Sequence, residues 1–500
     1  MKGFSVKAPV LLLLWASHRA NCFDIGGFMK KSMMSGSSGP RSPVMVNPTS
    51  APSWDELRER IGNTPTGSAL RRALEERAAG AGPPHTDAKL RLFGTEGEPR
   101  VTLFRDTAAW CPYCQKVWIQ LEEKQIPYRI EKINMRSYGD KPAWFLEKVP
   151  NGLLPAMELD GNFMTDSMRI MMTLEAAFPE RPMVPADGAG RERANALLRL
   201  ERELFGAWCQ YCFRPGEGLG GQSKKYFQEV MKEVDEALGS TEGPWFLGGD
   251  SPSLVDLAYV THIERMVASL LYWKGFQIRN AGYSNVDRWL EAFEQRPAYM
   301  ATKSDYYTHV MDIPPQYGPG FFAAGAEDAQ RRTVEGLDGS WALPLAPLGP
   351  GSFEPTTNPA ELEMGDEAAR HHAAFQLASN AEAVVRFACR GAGGLPLGAK
   401  GFQAPLADPY CEPNLGYQPD VDALLRHVAY ALLEGTSATE NAAAADIASS
   451  CADDDAKAVA ACAAYLRDRV GVPRDLPLPA ARQLRAHLHW AAGLLLREEA

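Results

Sequence analysis

Cys111 and Cys114, in the run Trp110-Cys111-Pro112-Tyr113-Cys114, are the residues of this chain best placed by type and spacing to do chemistry. Two cysteines separated by two residues can exchange disulfides with each other or with a small thiol, and either can attack an electrophile. The apolar residues 101–104 read as a strand, and residues 115–124 read as an amphipathic helix. Cys111 therefore falls at a helix N-terminus, where unpaired N–H groups and the macrodipole favour an anion. Thiolate is the nucleophilic form of cysteine. Pro112 suits the first helical position, because its missing N–H would have been unpaired there anyway.

Further elements must position these thiols. Residues 126–130 predict a second strand and residues 152–159 a third, with Pro155 at its entrance. Asp160-Gly161 is a hairpin turn signal. Asp166-Ser167 then precedes an apolar helix over 168–178.

This arrangement resembles the thioredoxin-like half of the glutathione transferases, most closely their cysteine-type branch (the omega, lambda and dehydroascorbate reductase classes). It is also similar to a plant group of chloroplast transferase-like proteins that share the run from Trp110 to Val117, and Cys-Pro-Tyr-Cys is the glutaredoxin motif. The resemblance implies an α+β fold: a thioredoxin-like N-terminal domain, then an all-α C-terminal domain. It implies that Cys111 is the nucleophile that forms a mixed disulfide with glutathione, the co-substrate, and that Pro155 is the family's cis-proline. Leu154 is then the residue whose backbone pairs with the cysteinyl part of glutathione, and Lys141 reaches the glycyl carboxylate. Asp166 and Ser167 hold the γ-glutamyl end, although the family usually carries Glu where this chain has Asp166. Cys114 either resolves the mixed disulfide or merely occupies the first turn of the helix, as a non-cysteine residue does in the omega class.

The chain has 500 residues, enough for about two to four domains. A formal net charge of −10 argues against nucleic acid as a partner. Nine cysteines in so long a chain form no disulfide framework and fit a reducing compartment. Residues 1–22 read as a signal peptide whose apolar run is too short to span a membrane, and no later stretch is long enough. Residues 23–52 have transit-peptide composition, and Phe23 opens them. Such a two-part presequence resembles that of algae with complex plastids; a secreted protein with a propeptide is the alternative. Residues 53–88 predict two helices packed on the outside of the thioredoxin-like unit at 89–182. An all-helical domain follows over 190–308, then a Pro/Gly-rich surface connector over 312–365. Ala-rich helices at 367–388, 421–433, 456–470 and 479–496 form an extension, residues 366–500, without a catalytic motif.

Ser253 and Asp256 have capping-box spacing ahead of an apolar helix, a structural N-cap. Cys209 and Cys212 form a second C-x-x-C on a predicted helix, where core or cleft-lining thiols outweigh a zinc site shared with Cys111 and Cys114. In the resembled family this helix borders the acceptor pocket, so Trp208, Tyr211 and Phe213 either line it or pack in the core. His371-His372 reads as solvated surface, and no metal site is expected. Cys389, Cys411, Cys451 and Cys462 read as buried thiols.

The leading expectation is a glutathione-dependent thiol transferase or reductase acting on small disulfides, dehydroascorbate or glutathionylated proteins. Conjugation of electrophiles and a non-catalytic glutathione-binding or scaffold role are the alternatives. Many relatives pair as homodimers, which leaves that state open here.

Overall fold

The computed structural model describes residues 49–215, 218–323, 327–402, 404–450 and 453–496. The leader at 1–22, most of the segment at 23–52 and Cys451 lie outside the described residues. Thr49 and Ser50, at the end of that segment, are bound to the folded body by hydrogen bonds to Asp446.

Two helices come first, α1 (Trp54–Gly62) and α2 (Pro65–Ala78). Ser53 caps α1 by accepting the Glu56 N–H, as the sequence pattern expects. A five-stranded sheet follows: β1 (Leu90–Arg91), β2 (Val101–Asp106), β3 (Tyr128–Ile133), β4 (Ala156–Leu159) and β5 (Asn162–Thr165), in the order β1-β3-β2-β4-β5. β2 runs parallel to β3 and antiparallel to β4, which makes it the central strand. Helix α3 (Pro112–Lys124) supplies the crossover between the parallel pair, as a parallel connection requires. Helix α4 (Ala143–Lys148) lies between β3 and β4, and α5 (Ser167–Ala177) follows β5.

The helical domain comprises α6 (Gly188–Phe213), α7 (Gly218–Gly239), α8 (Leu254–Lys274) and α9 (Ser284–Glu294). Every residue of α8 is buried. That explains a sequence apolar nearly all round rather than on one stripe. Asp256 anchors its start: it accepts the Ser253 N–H (2.8 Å), the Ser253 hydroxyl (2.6 Å), the Phe246 N–H (3.1 Å) and the Trp289 indole N–H (2.9 Å). A fully buried carboxylate is tolerated only with such partners, so Asp256 is structural. Apolar residues of the sheet, α3 and the helical domain form one continuous core.

Beyond it come α10 (Pro297–Met300), α11 (Tyr306–Asp312), α12 (Pro314–Tyr317), α13 (Glu327–Val334) and α14 (Pro359–Glu363). The expected surface connector is therefore partly structural: Val334 joins the main core, and Tyr317, Phe322 and Trp341 pack against it. The extension contains α15 (Asp366–Ser379), α16 (Ala381–Ala388), α17 (Gln418–Glu434), α18 (Glu440–Ser450), α19 (Asp453–Arg467) and α20 (Leu478–Leu495). Asn380 splits the single helix expected over 367–388, and α18 adds a helix that the sequence pattern did not announce.

Two expectations are corrected here. Helix α1 does not pack on the thioredoxin-like unit; Leu57 and Ile61 enter the core of the extension, and Trp54 donates to Asp422 (2.7 Å). The apolar stripe of α1 matches the Ala- and Leu-rich faces of α15 and α17, which the sequence separates from it by more than 300 positions. His371 is not solvated: it is buried, with Nε2 3.2 Å from the Leu433 carbonyl. His372 is half-buried, and burial pushes its imidazole down to about 4.

Candidate active site

Cys111 is the N-cap of α3, and Pro112 occupies its first helical position. The Cys111 and Trp110 N–H groups both donate to Oδ2 of Asp106, the last residue of β2, at 3.2 and 2.6 Å. Cys111 is half-buried, and its sulfur faces the carbonyl of Leu154 at 4.0 Å. Cys114, one turn into the helix, is fully buried; burial and the neighbouring Cys111 sulfur push its thiol well up. The donor atoms of Asp106, Cys111 and Cys114 all lie within 4.8 Å of one another. Cys209 and Cys212 do not join this group. Burial pushes Cys209 up to about 11 and Cys212 higher still.

The loop ahead of Cys111 is held from three sides. Arg265 of α8 donates to the Trp110 carbonyl and to Gln115 Oε1 (2.9 Å), and its guanidinium lies 4.7 Å over the Trp110 ring. The Trp110 indole donates to His309 Nδ1 at 3.1 Å, and His309 Nε2 lies 2.8 Å from Glu264 Oε1. Indole is only a donor, so Nδ1 must accept and Nε2–H faces the carboxylate. Burial lowers the imidazole as well, which favours this neutral form. Burial alone would raise Glu264, but His309, Arg265 and the Ser304 N–H hold it down to about 2. None of these partners carries a sequence signature; Arg265, Glu264 and His309 are recognisable only once α8 and α11 are seen beside α3.

The Leu154–Pro155 peptide bond is cis, as the resemblance implies. It enters β4, and β4 pairs with β2, which brings Leu154 opposite Cys111. Lys141 is half-buried and donates to the Asn134 carbonyl, and burial pushes its ammonium down. Gly152, at φ +65, lets the Lys141 chain lie across it: an added Cβ would come 3.3 Å from Cδ and Cε. Asp166, exposed and at φ +72, accepts the Arg169 N–H at 2.9 Å and caps α5, and Ser167 begins that helix. Leu154 and cis-Pro155 thus border Cys111, while Asp166 and Ser167 lie at the start of α5.

Of the three residues expected near the acceptor pocket, Trp208 and Tyr211 are wholly buried and Phe213 is half-buried. Trp208 and Phe213 both contact the Tyr317 ring, at 5.4 Å and stacked at 5.9 Å. Tyr317 lies near enough to Tyr113 of the Cys-Pro-Tyr-Cys run for their hydroxyls to interact electrostatically. Trp208 is itself in the core, its indole donating to the Ser269 hydroxyl (2.9 Å), and Tyr211 lies in the same core against Phe227 and Phe276. Tyr317 and Phe205 (6.0 Å from Tyr317) complete the aromatic wall and were not anticipated; Tyr317 falls in the Pro-rich connector, where nothing marks it. A cavity of about 720 Å³ is lined by residues such as Arg91, Glu122 and Arg296 and includes neither thiol.

Residues 110–177 match the family profile described as glutathione S-transferase, N-terminal domain, and residues 194–292 match that of the C-terminal domain. The chain is 30% identical over 237 residues to protein IN2-1 homolog A of Oryza sativa subsp. japonica, covering 45% of this chain and 93% of that protein. It is 31% identical to glutathione S-transferase L1 of Arabidopsis thaliana, covering 39% and 79%, and 28% identical to glutathione S-transferase DHAR2 of the same plant, covering 40% and 86%. With both halves matched in order and the extension outside both profiles, the chain belongs to the glutathione S-transferase family.

Proposed function

We propose that this protein is a glutathione-dependent thiol transferase or reductase with Cys111 as its nucleophile. The observation that carries this reading is the position of Cys111: a helix N-cap, facing the Leu154 carbonyl across the cleft, with an aromatic wall beyond it. A helix N-terminus favours an anion, and thiolate is the attacking form of cysteine. Cys111 thiolate attacks a sulfur of a small disulfide or glutathionylated substrate and expels the partner thiolate; glutathione then regenerates the enzyme. Lys141, Leu154 and the Asp166-Ser167 helix start hold glutathione through its glycyl, cysteinyl and γ-glutamyl parts. A cysteine rather than a tyrosine or serine at this position favours disulfide chemistry over conjugation. The similarity to glutathione S-transferase DHAR2 makes dehydroascorbate a further candidate substrate. Residues 1–52, by composition, direct the chain to a plastid.

The test assays glutathione-dependent reduction of a small mixed disulfide and of dehydroascorbate, with an aromatic electrophile as the parallel conjugation substrate. Reduction that disappears in Cys111→Ser while glutathione binding persists supports the reading. Conjugation alone, or full reductase activity in Cys111→Ser, defeats it.

A further inference from the structure

We propose that a small pocket at the seam between the thiol-bearing loop and the helical extension binds a small organic carboxylate, with Arg390 as the residue that holds its charge. The pocket contains neither thiol, so the inference does not depend on the mixed-disulfide reading above.

The pocket has a volume of about 170 Å³, well below the roughly 300–1,000 Å³ of sites for drug-sized molecules. Thr107 and Ala108, on the loop that runs from β2 to Cys111, form one part of its wall. Asn134, Ser137 and Tyr138, after β3, form a second, and residues of the extension complete it.

Three of the lining residues carry charge: Arg390, Asp408 and Arg469. Asp408 is engaged with Arg469, whose Nη2 donates to Oδ2 at 3.0 Å. Arg390 is half-buried and has no ion pair among the described residues; its guanidinium lies 5.3 Å over the Phe387 ring. A ring face holds a cation in place and leaves its charge unneutralised. One positive charge in the pocket wall therefore lacks a carboxylate, and a guanidinium matches a carboxylate in both shape and charge. Ser137 supplies a second donor. Its oxygen accepts the Gln316 side-chain amide at 3.2 Å, which leaves its own hydroxyl proton to give.

The rest of the extension's wall is apolar, with Phe387, Leu406, Val472 and Pro473. A bare inorganic anion would leave these side chains uncovered, whereas a carboxylate on a hydrocarbon or ring body meets both kinds of wall. Occupation would also tie separate parts of the chain together. Thr107 donates to Asn134 Oδ1 at 3.0 Å, and the Asn134 carbonyl accepts from Lys141. A ligand held by Arg390 against these residues links the extension to the loop before Cys111 and to the segment that anchors Lys141.

The experiment titrates reduced full-length protein calorimetrically with benzoate, with benzamide as the neutral counterpart and inorganic phosphate as the bare oxyanion. Benzoate is expected to bind saturably with one equivalent, and benzamide about 10-fold or more weakly, the usual worth of a charge-assisted hydrogen bond. Arg390→Met keeps an unbranched stem beside Phe387 and breaks no ion pair; it is expected to weaken benzoate binding by the same factor, and Arg390→Lys by less. Absence of saturable binding, equal affinity for benzamide, or unchanged affinity in Arg390→Met overturns the proposal. Phosphate binding more tightly than benzoate overturns the assignment to an organic acid. A second readout needs no variant: benzoate is expected to slow backbone hydrogen exchange of the wild type about 3-fold or more around residues 107–108, 134–138 and 387–390, because a ligand that binds only the closed state suppresses local opening. Unchanged exchange in those segments overturns the proposal even if Arg390→Met fails to fold. Neither readout uses turnover, so failure of the mixed-disulfide reading and failure of this site are separately visible.

Discussion

The Trp110 indole donates to His309 Nδ1 over 3.1 Å, which ties the residue before Cys111 to a helix 199 positions later in the chain. His309 in turn leans on Glu264 of α8, so the thiol-bearing loop is set by the helical domain and α11 together. Replacing His309 with Leu leaves a buried indole N–H without an acceptor and removes one partner from a buried carboxylate. An orphaned buried donor costs about 1–3 kcal/mol, and more where a charge is involved. His309→Leu is therefore expected to lose about 2–4 kcal/mol in urea unfolding and to change the rate of Cys111 alkylation. Unchanged stability would show that the loop is held without this bond.

Asp312 gives a pH dependence of opposite sign to most carboxylates. Its Oδ1 accepts the Tyr138 hydroxyl, its Oδ2 is buried without a partner among the described residues, and burial pushes it up to about 7. Between about pH 4 and 7 the folded state keeps this proton while the unfolded chain, with an ordinary carboxyl near 3.9, has lost it. The folded state thus binds more protons, and this group's contribution to stability falls as pH rises through that window. Asp312→Asn keeps an acceptor for Tyr138 and cannot ionise. Relative to wild type, the variant is expected to gain a few kcal/mol in unfolding free energy between about pH 4.5 and 8, because each tenfold difference in proton affinity between the two states is worth about 1.4 kcal/mol. A constant difference across that range would contradict the assignment.

The extension meets the transferase core through a buried ion pair, Arg485 of α20 with Asp305 at the N-cap of α11, at 2.8 Å. Gly471 allows the close approach, since an added Cβ would come 2.8 Å from the Thr308 hydroxyl. Removing one partner of a buried pair typically costs about 3–5 kcal/mol. Arg485→Met is expected to destabilise by that order, and the double variant with Asp305→Asn to recover part of it. Because α11 also carries His309, the single variant should slow turnover as well. Calorimetry with parallel activity on a mixed disulfide would check both. An Arg485→Met protein as stable and active as wild type would make the extension an appendage.

What the sequence made legible follows from how local each signal is. The strand, C-x-x-C, helix, cis-Pro and Asp-Ser order lies within about 70 residues, and each part has its own turn or cap chemistry, so Cys111, Pro155 and Ser167 could be placed from the chain alone. Ser253 and Asp256 were legible for the same reason. Glu264, Arg265 and His309 act through contacts between distant elements, and their residue types alone give no pattern. Whether Tyr211 lined the pocket or packed in the core stayed open in the sequence, because membership of a helix does not fix which face a residue presents. The packing of α1 was missed because its apolar stripe says that it must be covered, not by what.

Tyr317 shows what that missing information bears on. It stacks on Phe213 at 5.9 Å with the rings 14° from parallel, touches Trp208 and Phe205, and lies close to Tyr113, two residues from Cys111. It is half-buried. A bulky aromatic acceptor would lie against this wall, whereas a small disulfide would react at Cys111 with little contact to it. Truncating Tyr317 removes an aromatic contact worth about 0.5–1.5 kcal/mol beyond its buried area. Tyr317→Ala is therefore expected to raise KM for an aromatic mixed disulfide about 10-fold or more while altering kcat/KM for a small aliphatic one less than about 3-fold, from about 1.4 kcal/mol per factor of ten. Equal losses on both substrates would mean that Tyr317 supports the thiol loop through Tyr113 rather than shaping the acceptor site.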